Sequence, residues 1–420
     1  MTVLNKSRKI KIFSAFIIIT LFLCGEFLRP ISTFGLSEPE ISGGSACLYC
    51  ENTDEMIYEK EKEKKINPYS TTKLLTALVV LDKLDLDRKV TISKKAAKQD
   101  GSSMDLKEGE VVTVDELLHG LLIMSGNDAA YALAEETAGS TKNFAKLMNK
   151  KAKQLGMSNS HFTNPAGLKE KNHYTTAEDF LKLAKEVFKN KYIVKVSGVK
   201  RYEMRKTNRE EKRIMKTHLD GRKKSNSGVI AGKTGFWQID DCSIVVLYKK
   251  DDLKLIGIIF EDNLEDRPED AQALFKYARE SIPKKKALSK NENLGKAWVR
   301  CGKVSRTEII SDESAYIYEK KGKQQKIKIR NKINHGIKAP LKKGDKVGKA
   351  YIYYGNKKIK TVNLVAKKNI EKGWLPSYIY ISNNMTKIIL LTIFVLFSLL
   401  MVIRKYNKNK YKKAAYGGKH

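Results

Sequence analysis

Ser70 and Lys73 stand three apart in the run Asn67-Pro68-Tyr69-Ser70-Thr71-Thr72-Lys73, which opens onto apolar residues at Leu74, Leu75, Leu78, Val79 and Leu81 with a helical period. Positions i and i+3 of a helix share a face, so the lysine amine can reach the serine hydroxyl. That is a nucleophile beside a base. A serine is inert until a neighbour takes its proton, and a lysine takes it only when burial or a second cation lowers its pKa. The helix N-terminus adds backbone N–H groups and partial positive charge. Alone, a Ser-Lys pair equally fits an ordinary surface helix start in a lysine-rich chain.

Two further motifs change the weight of that pair. Ser125-Gly126-Asn127 falls between helical stretches at Val114 to Met124 and Asp128 to Ala138, a turn able to present a hydroxyl and an amide to a pocket. Lys233-Thr234-Gly235 lies in a β-rich run, where the period of two puts Lys233 and Gly235 on one face and Thr234 on the other. The missing side chain at Gly235 is expected to let a substrate backbone approach closely. Ser-x-x-Lys, Ser-x-Asn and Lys-Thr-Gly, in that order, form the signature of penicillin-binding proteins and class A β-lactamases.

The elements that must position these residues can be read from periodicity. Ala46 to Leu48 and Met56 to Glu59 suggest a strand pair, and Ser70 to Leu84 a helix. Thr113 to Ala138, with Thr113 and Glu116 as a capping box, Ser140 to Leu155 and Thr176 to Phe188 read as further helices, the last with Thr176 and Asp179 in similar positions. From Val229 the period changes. Val229 to Phe236, Cys242 to Tyr248 and Leu253 to Phe260 predict an antiparallel sheet, and Asp270 to Ser281 a final helix. Ile282 to Asn293 breaks the pattern. Beyond it, Ala297 to Val365 alternates short strands with turns at Gly302, Gly322, Gly344 and Gly355, a small all-β module.

The chain resembles the D-alanyl-D-alanine carboxypeptidases among the low-molecular-mass penicillin-binding proteins. Beyond the three motifs, the likeness runs through Pro68 to Val79, Gly101-Ser102-Ser103-Met104, Leu117 to Ala130 and His161-Phe162-Thr163-Asn164-Pro165-Ala166-Gly167-Leu168, and covers most of 40–280. Ala339-Pro340-Leu341-Lys342-Lys343-Gly344-Asp345-Lys346-Val347-Gly348 looks like the small β domain that follows in that family. The implied fold class is α/β: a β-lactamase/DD-peptidase-like catalytic domain, antiparallel sheet plus helical cluster, then a small all-β domain and a C-terminal membrane helix. By this resemblance Ser70 would attack the carbonyl between the terminal D-alanines of a peptidoglycan stem peptide, with Lys73 as base and Ser125 relaying a proton to the leaving amine. Asn127 would hold Lys73 and the substrate amide, and Lys233 would disfavour protonated Lys73. Thr234 would bind the terminal carboxylate beside Gly235, and the N–H groups of Ser70 and Phe236 would form the oxyanion hole. Arg267 reads either as a helper for that carboxylate or as a surface arginine. β-Lactams are the implied inhibitors, and no metal or other cofactor is expected. The chain departs from the family at Phe236-Trp237, where His or Tyr then Thr is usual, and at Asp240-Asp241 in place of Ala-Gly, and Met204 to Asp220 matches loosely.

At 420 residues the chain has room for two or three domains, and Lys+Arg exceed Asp+Glu by 81 to 47, a net charge of +34 that favours anionic surroundings. Its ends place those charges. Lys6, Arg8, Lys9 and Lys11 precede an apolar run from Ile12 to Cys24, so 1–35 reads as a signal peptide or an uncleaved anchor. Ile388 to Ile403 is uncharged, and with Met385, Thr386 and Lys387 it reaches roughly 28 Å as a helix. Arg404, Lys405, Lys408, Lys410, Lys412 and Lys413 follow, so the positive-inside rule sets 405–420 in the cytoplasm and the rest outside. The expected organisation is a catalytic domain at 40–283, a β domain at 294–372 and a membrane helix at 385–404. The expected partners are then stem peptides and the cell membrane, with nucleic acid excluded and the oligomeric state open. Trp374 and Tyr378 to Tyr380 fit either an interfacial anchor or a plain linker. Five cysteines are too few for a disulfide scaffold, and Cys47-Leu48-Tyr49-Cys50 reads as structural rather than as a redox or metal pair. His161 and His173 are weak base candidates beside Lys73. Two other functions compete: a serine β-lactamase, and a catalytically weak wall-binding regulator.

Overall fold

A computed structural model of the chain describes residues 37–219, 227–319 and 325–416. The expected signal or anchor at 1–35 and the residues 417–420 of the basic tail lie outside them. Residues 37–40 carry no helix or strand and belong to a separate unit, so the architecture below is that of the unit from Ile41 onward.

Strands β1 (Ser45–Cys50) and β2 (Glu55–Lys60) form a hairpin, followed by helix α1 (Lys73–Leu81). A small hairpin of β3 (Lys89–Thr91) and β4 (Val111–Thr113) encloses α2 (Lys94–Ala97). The helical cluster continues with α3 (Val114–His119), α4 (Asn127–Ala138), α5 (Thr141–Gln154), α6 (Ala177–Lys189) and α7 (Lys191–Ser197), then a hairpin of β5 (Arg201–Met204) and β6 (Arg213–Lys216). Strands β7 (Val229–Gln238), β8 (Asp241–Lys250) and β9 (Leu253–Asp262) precede α8 (Arg267–Ser281). The main sheet runs β2-β1-β9-β8-β7, antiparallel throughout.

Both faces of this sheet are covered, and the period of two assigns alternate residues to each. Val245, Leu247, Ile256 and Ile258 pack into the helical cluster, while Ile244, Val246, Tyr248 and Leu255 pack under α8 with Leu274 and Phe275. The same alternation separates the two cysteines of β1. Cys47 enters the helical core and Cys50 the core under α8, so their spacing places them on opposite faces. Burial pushes the Cys47 thiol up to about 12, which removes its nucleophilic form at neutral pH.

Several expectations shift. Ser70 sits in a 3₁₀ turn, Tyr69–Thr72, ahead of α1, because Asn67 Oδ1 accepts the Tyr69 N–H at 2.9 Å and Tyr69 takes a left-handed φ of 47°. Thr113 to Ala138 is broken at the expected Ser125-Gly126-Asn127 turn, with a π-helical turn before it. The Thr113–Glu116 capping box starts α3, a π-helical turn at Gly120–Met124 follows, and left-handed Ser125 breaks the chain before α4. The final helix starts at Arg267, not Asp270.

The segment 282–293 is not a break. Lys284–Leu288 is strand β10, whose exposed lysines mimic a linker while its backbone pairs with β13 (Ala315–Tyr318). β11 (Asn293–Trp298), β12 (Arg306–Ser311), β14 (Ile327–Ile333), β15 (Lys346–Tyr354) and β16 (Lys357–Ala366) complete the β module, in the order β11-β12-β16-β15-β14. Tyr318 joins the core under α8, and Lys360 Nζ binds the Asp252 carboxylate at 2.8 and 2.9 Å. After a 3₁₀ turn at Leu375–Ile379, helix α9 (Asn383–Tyr416) runs on through the basic residues after Arg404.

Candidate active site

Lys73 is fully buried at the head of α1, with Nζ 2.8 Å from each of Ser70 Oγ, Asn127 Oδ1 and Ala166 O. In a 3₁₀ turn i and i+3 eclipse, so the break from α geometry aims both side chains the same way. Asn127 Oδ1 and the Ala166 carbonyl can only accept. When Lys73 is neutral, its two N–H groups serve these acceptors and its lone pair is left for the Ser70 hydroxyl. Burial, and next the charge of Lys233, hold Lys73 well below the ordinary lysine range, against a smaller opposing pull from Asp128.

The Ala166 carbonyl is held by a loop whose sequence explains itself. Asn164 Oδ1 accepts the N–H groups of Ala166, Gly167 and Leu168 at 3.2, 2.8 and 2.9 Å, and Thr76 Oγ1 donates to Pro165 O at 2.6 Å. Gly167 has φ +81°, and a Cβ there would lie 1.8 Å from Tyr69 O. The loop can pass under the Ser70 turn only with glycine at that point. From the other side His173 bonds Thr72 Oγ1 at 3.0 Å and accepts the Thr163 N–H at 3.2 Å on Nδ1. Accepting on Nδ1 leaves the proton on Nε2, and burial pushes the ring down to about 4. His173 thus supports the turn as a neutral group, whereas His161 lies outside, its Nδ1 2.7 Å from Asn172 O.

Ser125 is left-handed (φ 62°) at the end of the π turn, and its Oγ is buried with no hydrogen-bond partner among the described residues. Such a backbone is costly for a non-glycine residue and is held by its neighbours. The Gly126 N–H donates to Gly120 O at 3.1 Å and the Asn127 N–H to Ser102 O at 2.7 Å. Asp128, wholly buried, accepts Ser103 Oγ at 2.6 Å and the Met104 and Leu106 N–H groups at 3.1 and 3.0 Å. Asn127 Nδ2 is already bound to Asp100 O at 2.6 Å, so in this structure both ends of that amide are engaged within the protein.

On β7, Lys233 is buried and donates to Thr234 O at 2.7 Å; burial, then the charge of Arg267, pushes it down to about 7. Thr234, Gly235 and Phe236 join Ser70, Ser125 and Arg267 around a cleft of about 300 Å³. Gly235 also has a packing role. A Cβ there would meet Ser243 Oγ at 2.1 Å and Pro68 O at 3.1 Å, so the bare position lets β7 lie against the Ser70 turn while its backbone lines the cleft. Arg267 is no surface residue: it is buried, and its guanidinium donates to Gly235 O at 3.0 Å. Ser102, His218 and Leu264 also line the cleft, and no motif pointed to these roles.

Phe236 lines the cleft, and the residues after it pack outside the Ser70 turn. Trp237 stacks on Tyr69 (centroids 6.0 Å apart, planes 8°), Lys169 Nζ lies 5.2 Å from the Trp237 ring, and the Tyr69 hydroxyl donates to Asp241. Phe236 and Trp237 stay about half exposed, at 55% and 48%.

Sheet, helical cluster and Ser-Lys pair together define a serine hydrolase of the DD-peptidase class. Residues 32–263 match the D-alanyl-D-alanine carboxypeptidase family, and 283–372 match the penicillin-binding protein 5 C-terminal domain. The D-alanyl-D-alanine carboxypeptidase DacF of Bacillus subtilis (strain 168) is 31% identical over 336 residues, 78% of this chain and 86% of its own. The Streptomyces K15 DD-transpeptidase structure is 32% identical, covering 58% of this chain and 99% of its own, with a TM-score of 0.55. Penicillin binding protein 5 from Haemophilus influenzae shares the fold at 24% identity, over 80% of this chain and 100% of its own, with a TM-score of 0.57. The chain belongs to the D-alanyl-D-alanine carboxypeptidase family.

Proposed function

We propose that the chain is an active, membrane-anchored D-Ala-D-Ala carboxypeptidase that trims peptidoglycan stem peptides through an acyl-enzyme on Ser70. Neutral Lys73 takes the Ser70 proton as Oγ attacks the carbonyl carbon between the two D-alanines. The N–H groups of Ser70 and Phe236 hold the oxyanion, and Thr234 with Arg267 receives the terminal carboxylate. The C–N bond breaks as Ser125 Oγ passes the proton from Lys73 to the leaving amine, and D-alanine departs. Lys73 then deprotonates a water that attacks the ester, and Ser70 recovers its proton. A β-lactam follows the first half of this path and remains attached.

The observation that carries this reading is the 2.8 Å contact between Ser70 Oγ and a fully buried amine whose other two partners are carbonyl oxygens. Detergent-solubilised full chain given a peptide ending in D-Ala-D-Ala should release D-alanine, and penicillin should add its mass at Ser70. Ser70→Ala should do neither; equal activity in both forms would overturn the assignment, and rapid turnover of the penicillin adduct would favour a β-lactamase. Anchoring rests on Asn383–Tyr411, a stretch long and apolar enough to cross a membrane, with basic residues at its far end.

A further inference from the structure

Helix α9 is knitted to the β module. The Asn383 N–H donates to Lys303 O at 3.1 Å, and Asn383 Oδ1 accepts the Trp374 N–H at 2.9 Å. The Cys301 N–H donates to Ser377 O and the Gly373 N–H to Cys301 O, both at 2.8 Å. The module surface around 298–306 is thereby fixed beside the first turn of the apolar helix.

That surface carries the chemistry of a membrane interface. Leu375 and Ile379 are 84% and 70% exposed, and Trp298 meets Tyr380 edge-on at 5.7 Å. Trp298, Tyr380, Ala297 and Ile333 line an open cavity of about 450 Å³ together with Lys296 and His335, and none of its lining residues is acidic. Cations sit on its aromatic rings: the Arg306 guanidinium 3.9 Å from the Trp298 centroid, Arg300 5.9 Å from that of Tyr380, and Lys387 Nζ 5.9 Å from that of Trp374. Rings with an apolar body and a polar edge settle at headgroup depth, and cations beside them meet lipid phosphate. The nearby Glu371 is paired with Lys303.

We propose that this face of the β module is a phospholipid-binding surface, where Trp298, Tyr380, Leu375 and Ile379 enter the headgroup layer and Arg306, Arg300 and Lys296 bind lipid phosphate. The occupant is bilayer lipid because the face is continuous with the helix that enters the membrane; the inference rests on that anchoring. It fixes the module in one pose on the bilayer.

Of the three tryptophans in the chain, Trp237→Phe with Trp374→Phe leaves Trp298 as the reporter. The full chain is placed in vesicles of phosphatidylcholine with or without phosphatidylglycerol, with acyl chains brominated close to the glycerol. Quenching of Trp298 by at least about half is expected, stronger with phosphatidylglycerol. Arg306→Glu should cut the quenching at least about twofold while penicillin acylation stays unchanged. A second reporter, Leu391→Trp in a chain without the native tryptophans, reads the helix itself. Quenching at 391 without quenching at 298 overturns the lipid surface and leaves the anchor standing. Quenching at neither position removes both, and quenching at 298 that ignores anionic lipid and Arg306→Glu overturns the phosphate contact.

Discussion

The cleft and the face of the β module beside α9 both gather cations and treat them in opposite ways. Lys73 and Lys233 are buried and bonded to carbonyl oxygens rather than carboxylates, so loss of water drives each toward its neutral form. Arg306 is exposed, and its guanidinium lies on the face of an aromatic ring. A cation stripped of water becomes a base; one left at the surface becomes a point of attachment.

Removing one cation from each region is the strongest way to break this contrast. Lys73→Ala should slow penicillin acylation of Ser70 by about 10³-fold or more, as loss of a positioned base does, whereas Arg306→Ala should leave it within about twofold. Intact-mass time courses would read both, and losses of similar size would erase the distinction.

The glycines offer a second comparison. Gly167→Ala puts a Cβ 1.8 Å from Tyr69 O at φ +81°, and should cost about 3 kcal/mol or more while displacing the Ala166 carbonyl and slowing acylation. Gly344→Ala in the β module also has a positive φ, +92°, but meets nothing within 4 Å, so about 1 kcal/mol is expected with acylation unchanged. Urea unfolding of the two variants should separate strain from collision.

The smallest effect concerns His173, which sharpens what burial does to a support group. Its folded pKa of about 4 lies below the ordinary histidine value of 6.5, so between those values the unfolded chain binds more protons. Stability should fall as pH drops from 6.5 toward 4, by an order of about 3 kcal/mol from this residue, and no further below. His173→Gln should flatten that part of the Tm-against-pH curve; an unchanged slope would place the titration elsewhere.

Much of the site's frame was legible because it depends on side chains at short spacing. Ser70 with Lys73, Ser125 with Asn127 and the strand carrying Lys233 to Gly235 are all readable from local period, and the Thr113–Glu116 capping box marked its helix start. Groups without a side-chain signal were not legible. The third partner of Lys73 is a backbone carbonyl, at Ala166, and the atoms that Gly235 must clear belong to Ser243 on the next strand and to Pro68, far away in sequence. His218 comes from a segment of weak periodicity. Strand β10 was hidden because the side chains of Lys284, Lys285 and Lys286 face solvent, and only its pairing with β13 reveals it.

The central claim is that Lys73 is a neutral base in the folded protein, and the pH dependence of Ser70 acylation tests it most directly. The second-order rate constant for penicillin should be measured on the full chain from pH 5 to 10.5, with mass analysis confirming the adduct at Ser70. A base must be unprotonated to act, so the rate should rise with pH through a pKa well below the ordinary lysine value of 10.5 and then level off. A rate that keeps climbing to pH 10 would mean that Lys73 is an ordinary protonated lysine, and would contradict the account.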